Sequence, residues 1–116
     1  FTITVNPSAQ VNGLADYNTI LCDGEFTPVY SFSTVNTDGL TSFNWANNNT
    51  AIGLADSGEG GIPSFQVINS TQSTISATIT VIPSYENNGI ICDGNAETFT
   101  IVVNPSPEMD NVDDIV

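Results

Sequence analysis

Cys22 and Cys92 are the residues whose chemistry is easiest to anticipate from the sequence. They lie in nearly identical tetrapeptides, LCDG and ICDG. An even number of cysteines in a chain with a secreted character favours a disulfide, and two free thiols are the alternative. A Cys22–Cys92 bridge would close a loop of about 70 residues and stabilise the fold by roughly 4 kcal/mol on the loop-entropy estimate. A metal site built on two thiolates is not expected, because no further soft ligand is available.

Carboxylates are the second group that could do chemistry. Asp56 and Glu59 lie in ADSGEGG, and Asp110, Asp113 and Asp114 lie in EMDNVDD. Their hard oxygens are the ligands that Ca²⁺ prefers. The D-x-[DN]-x-[DN]-G spacing of a calcium loop is absent, and solvated turn acids explain the same residues. We therefore expect no cofactor, and keep Ca²⁺ at these five residues as the alternative.

The absence of basic residues excludes several classes of function. The chain has 13 Asp and Glu, no Lys, Arg or His, and a formal net charge of −13. Nothing can pair with phosphates, so nucleic acid is not an expected partner, and no basic patch is present for anionic lipid. No stretch approaches the length of a membrane span, and direct membrane insertion is not expected.

Catalysis is not expected either. Without histidine there is no Ser–His or Cys–His nucleophile pair. A glycosidase-like pair of carboxylates is the remaining option. However, most Asp and Glu residues stand beside Gly and Asn, where turn formation already explains them. The sequence therefore predicts no catalytic residue and no enzyme.

Alternation of apolar and polar residues indicates the elements that would position these side chains. It runs through FTITV, FTPVYSFS, TSFNWAN, SFQVI, STISATITVIP and ETFTIVV, separated by turn formers such as NTDG, DSGEGG and ENNG. Half-buried antiparallel strands have this pattern. About seven short strands at this spacing predict an all-β, immunoglobulin-like antiparallel β-sandwich. The predicted core residues are Trp45, Phe43, Tyr30, Phe32, Ile79 and Val81.

A repeated heptad sets the domain organisation. FTITVNP at residues 1–7 returns as FTIVVNP at residues 99–105, an offset of 98 residues, with six of seven letters unchanged. With the same offset, the final thirteen residues, NPSPEMDNVDDIV, look like the start of another copy of NPSAQVNGLADYN. Self-similarity at a fixed period indicates a tandem array. We expect residues 1–7 to be the last strand of a preceding repeat, 8–105 one complete repeat, and 106–116 the first strand of a following one.

Several blocks of the chain resemble a known repeat. They are NPSAQVN, LCDG, FNWANNNTAIGLADSGEGGIPSF, ATITVIPSYENNG and CDGNAETFTIVVNP. They are similar to the PKD-like domain, an immunoglobulin-like sandwich of Bacteroidota surface proteins. The resemblance implies a building block of giant type IX-secreted proteins, including gliding-motility adhesins, with Cys22 and Cys92 as a bridged pair. Asp23 departs from the family, in which Asn more often follows the first cysteine.

Two functions from different classes fit these observations. The first is a structural repeat of a long cell-surface adhesin or filament, located outside the cell, whose partners are neighbouring repeats of the same polypeptide. The alternative is a carbohydrate-binding module that binds surface polysaccharide through Trp45, Tyr17, Tyr30 or Tyr85. Exposure of these four rings discriminates between the two, because a binding face needs them on the surface.

Overall fold

The structure, a computed structural model, describes residues 1–107, and strands dominate it. The strands are β1 (Thr19–Cys22), β2 (Leu40–Asn47), β3 (Ser57–Glu59), β4 (Ile75–Asn87), β5 (Ile90–Asp93) and β6 (Glu97–Asn104). Two single-turn 3-10 helices, Ala15–Tyr17 and Thr50–Ile52, are the helical elements of the described chain. The predicted all-β class is confirmed, with six regular strands in place of about seven.

The long strand β4 organises the sheet, whose order is β1-β6-β4-β2-β3. On one side β4 pairs with β2, and on the other its first half pairs with β6 and its last residues with β5. These ladders are antiparallel. The expectation of a wholly antiparallel sandwich is wrong at one edge, because β1 runs parallel to β6 with Thr19 opposite Ile101 and Cys22 opposite Asn104.

The second layer is irregular, which accounts for the lower strand count. Residues 25–32 and 62–67 meet through two isolated bridges, Phe26 with Gln66 and Tyr30 with Ile62. Tyr30 and Ile62 exchange two backbone hydrogen bonds of 2.9 and 2.8 Å. Pro28 lies between the bridges and has no N–H for a ladder, so the alternating FTPVYSFS segment does not form a continuous strand.

The core lies between the sheet and this irregular layer. Its buried side chains include Tyr30, Trp45, Ile52, Ile62, Val67, Ile79, Val81, Phe99, Ile101 and Val103. Of the six residues predicted for the core, Trp45, Tyr30, Ile79 and Val81 are buried. Phe43 and Phe32 are partly buried and pack against the core, with their ring centroids 5.9 Å apart.

The two copies of the heptad have different structures. The second copy is most of β6, and its apolar side chains Phe99, Ile101 and Val103 are fully buried. In the first copy, Phe1 to Val5 form no strand, and Ile3 is 74% exposed. The predicted strand at the start of the chain therefore has no partner strand among residues 1–107.

Candidate functional site at the two ends of the sheet

One end of the sheet, called here the hairpin end, is formed by Asn6 and the β4–β5 hairpin. The turn residues Asn88 and Gly89 both have positive φ angles, which a two-residue type I′ turn requires. The Asn6 side-chain amide donates to the carbonyl of Asn87 at 3.4 Å, and the Asn87 amide donates to Asn6 Oδ1 at 3.3 Å. This reciprocal pair holds Asn6, near the end of the first heptad, against the tip of the sheet.

The opposite end, called here the Asp23 end, is formed where β1 and β6 finish together. The backbone N–H of Asp23 donates to the carbonyl of Asn104 at 2.9 Å. Asn104 Oδ1 accepts a hydrogen bond of 2.9 Å from the Thr74 hydroxyl just before β4. Asn104, which ends β6, is thus hydrogen-bonded to residues that adjoin both of its neighbouring strands, β1 and β4.

Asp23 connects this end to the segment that follows β6. Its Oδ1 accepts from the backbone N–H of Asn69 at 2.9 Å, and its Oδ2 accepts from the Ser106 hydroxyl at 2.7 Å. The Asn69 bond, and secondarily the Ser106 bond, lower the pKa of the Asp23 carboxyl, while burial opposes them weakly. The sequence signalled this residue only as a departure from the family pattern.

Asn69 has a structural role that its N-S-T segment did not predict. It is buried, and its amide donates to the carbonyls of Ser73 at 2.8 Å and Val103 at 2.9 Å. Its Oδ1 accepts from the backbone and hydroxyl of Thr71. The short N-S-T motif of a polar loop was the available signal, and it marks an Asx-type turn that fastens the loop to β6.

The chain enters and leaves this unit at opposite ends. Asn6 contacts the last residue of β4, whereas Val103 pairs with Ile75, the first residue of β4. Because β4 has 13 residues, the two ends lie about 43 Å apart at the usual rise of a strand. This separation places Asn6 of the first heptad and Val103 of the second near opposite ends of the sheet.

The predicted disulfide is not formed within the chain. Cys22 and Cys92 are both free thiols. Cys22 pairs with Asn104 at the Asp23 end, and Cys92 pairs with Tyr85 near the hairpin end. A disulfide requires Cα atoms about 4.4–6.8 Å apart, and most of the length of β4 separates these two. The implied Cys22–Cys92 pairing is therefore corrected: the residues lie at opposite ends of the sheet.

The candidate calcium ligands are not assembled into a site in the described part of the chain. Asp56 and Glu59 are both exposed, and Glu59 lies on β3 opposite Asn44. No group of three His, Cys, Asp or Glu side chains within residues 1–107 could hold a metal ion. Asp110, Asp113 and Asp114 lie outside the described residues.

Three of the four aromatic residues considered for sugar binding are buried. Trp45, Tyr30 and Tyr85 face the interior, and the Tyr85 hydroxyl donates to the carbonyl of Thr37. Tyr17 is partly buried, stacks on Tyr30 with centroids 6.1 Å apart, and donates its hydroxyl to the carbonyl of Ser31. These four rings therefore do not form an exposed platform.

Comparison of the chain with protein-family models, curated proteins and solved structures found no match. Residues 1–107 contain no helix with the length and apolar character needed to cross a bilayer. The geometry of the two sheet ends is therefore the basis on which a function can be argued.

Proposed function

We propose that this chain carries a structural repeat of a long extracellular surface protein, in which the unit supplies reach and stiffness. The supporting observation is the contrast between the two heptads. One is a buried central strand and the other is exposed, although they share six of seven residues. An apolar alternating segment is expected to be buried, and the first heptad would be buried if the β1 and β4 strands of a preceding unit flanked it.

The positions of the two heptads support an extended arrangement. They lie at opposite ends of β4, so successive units would join head to tail and each would add about 43 Å. The chain is already elongated, with principal extents of 88 × 20 × 17 Å. The connecting Asn-Pro is short, and proline restricts its own φ, which favours a stiff joint.

The composition is consistent with an exposed location. Because the chain has no Lys or Arg, trypsin-like proteases have no cleavage site in it. The resemblance to PKD-like repeats agrees with a role in a secreted adhesin or filament, including one used for attachment or gliding. The carbohydrate-binding alternative loses its main support, because Trp45, Tyr30 and Tyr85 are buried.

A two-unit chain tests this proposal. It consists of residues 8–98 joined directly to Phe1 of the full chain, so that the exposed heptad becomes the last strand of the added unit. Small-angle X-ray scattering should give a maximum dimension about 43 Å greater than that of the single chain. The matched control carries a flexible Gly-Ser linker after Pro7 of the junction. Scattering indistinguishable from that of the control would contradict a stiff head-to-tail array.

A further inference from the structure

The two free thiols lie at the two places where successive units would meet. Cys22 is at the Asp23 end on β1, and Cys92 is near the hairpin end on β5. Resting on the proposed function, we propose that they form a disulfide between units, from Cys22 of one repeat to Cys92 of the next. The bridge would link neighbouring units covalently at the joint and would not stabilise either unit internally.

Cys22 lies beside the asparagine of the second heptad. Cys22 lies directly opposite Asn104 in the β1–β6 ladder. Both residues alternate with buried or partly buried neighbours, Leu21 and Val103, and so lie on the outer face of the sheet. Directly paired residues on one face have Cβ atoms about 5 Å apart. Cys22 is exposed there and accessible to a thiol from outside the unit.

The same asparagine position would lie on the other side of the joint as well. In the repeat, Asn104 of one unit is the residue that the following unit uses as Asn6. Asn6 forms its reciprocal amide pair with Asn87 at the hairpin end. One asparagine would therefore lie beside Cys22 of its own unit and beside Asn87 of the next.

Asn87 and Cys92 lie on the two strands of the same hairpin, β4–β5. Asn87 pairs with Ile90, and Cys92 follows two residues later on β5, opposite Tyr85. Residues in this diagonal relationship lie on the same face at about 7–8 Å. Cys92 is partly exposed, and it shares a face with Asn87, whose side-chain amide donates to Asn6. The proposed bridge requires the Asn-Pro joint to hold the two Cα atoms at the separation of about 4.4–6.8 Å that a disulfide needs.

The chemistry requires an external oxidant of the disulfide class. The Cys22 and Cys92 thiols lose two protons and two electrons and form one S–S bond, while the oxidant's disulfide bond breaks to give two thiols. Such oxidants operate in the compartments through which secreted proteins pass. The bridge would close a ring across the joint and so limit bending between units.

The two-unit chain also tests this inference. After oxidation with oxidised glutathione, its intact mass should fall by two hydrogen atoms. Pepsin digestion, which needs no Lys or Arg, should link the peptide of first-unit Cys22 to that of second-unit Cys92. The variant C22S in the first unit should lose this link, and C22S in the second unit, the matched control, should keep it.

The outcomes separate this inference from the proposed function. The two-unit chain can scatter as a rod and yet keep all four thiols free after oxidation, or link another pair of cysteines. Either result overturns the inter-unit bridge and leaves the proposed function intact. Scattering that matches the flexible-linker control before oxidation contradicts the proposed function, and the bridge with it.

Discussion

Ile3 and Ile101 occupy the same position in the repeated heptad and have opposite environments. Ile101 is fully buried between β1 and β4, whereas Ile3 is 74% exposed and unpaired. The chemical identity of the residue is the same in both places. The difference arises because β1 and β4 flank only the second heptad. The proposed array rests on this difference.

The paired substitutions Ile101→Ala and Ile3→Ala measure this difference. Ile101→Ala leaves a cavity in a packed core and should lower the free energy of unfolding by about 2–5 kcal/mol. Ile3→Ala removes an exposed side chain and should change it by less than about 0.5 kcal/mol. Urea denaturation followed by tryptophan fluorescence provides both values. Similar losses for the two variants would mean that the first heptad packs on this unit.

Asp23→Asn tests the hydrogen bonds at the Asp23 end. A lowered folded-state pKa contributes stability above the ordinary carboxyl value of 3.8, and this contribution is lost as the pH falls through the folded pKa. The variant should therefore be less stable than the native chain at neutral pH, and the difference between their free energies of unfolding should shrink in acid. Asp16→Asn, at an exposed carboxylate, removes the same charge and serves as the control. An equal effect of both variants would indicate a general charge effect.

Thiol labelling tests the correction to the disulfide. The folded single chain should react with two equivalents of a thiol reagent without prior reduction, because the cysteines lie at opposite ends of the sheet. Cys22 should react faster, since it is exposed and Cys92 is only partly so. Mass spectrometry of the labelled chain gives both the number of labelled cysteines and the order in which they react. A monomer that resists labelling until it is reduced would show that an internal bridge forms after all.

Gly58→Ala tests the packing of Trp45 on the edge strand. Gly58 pairs with Trp45 across β2 and β3, and a Cβ placed on it would lie 2.4 Å from Trp45 Cζ2. The substitution should destabilise the fold by about 1–3 kcal/mol, as overpacking of a core does, and should shift the tryptophan emission. Gly13→Ala is the control, because its Cβ would meet nothing within 4 Å. A Gly58→Ala variant with unchanged stability and unchanged tryptophan emission would contradict the close contact.

Strand β4 shows how far the sequence pattern could predict the fold. Within STISATITVIP, residues 75–81 alternate strictly between apolar and polar side chains, and Ala77, Ile79 and Val81 are buried as that pattern requires. FTPVYSFS has the same alternation, but Pro28 interrupts its ladder and leaves isolated bridges. The parallel β1–β6 pairing depends on tertiary contacts, which local periodicity does not contain.

The candidate site was less predictable than the core. The heptad identified the two junction segments, because self-similarity can be found in a single sequence. The matching LCDG and ICDG contexts suggested a bridge, but residue types around a cysteine contain no distance, and the sheet separates Cys22 from Cys92. Asn69 and Asp23 act through backbone hydrogen bonds that form only when distant loops meet.

Hydrogen exchange on the two-unit chain measures whether a preceding unit buries the first heptad. In the single chain, the amides of residues 2–5 should exchange without protection, and those of residues 99–103 should exchange slowly. When residues 8–98 precede Phe1, the amides of residues 2–5 should become as protected from exchange as those of residues 99–103. Fast exchange at residues 2–5 in the two-unit chain, with residues 99–103 still protected, would contradict it.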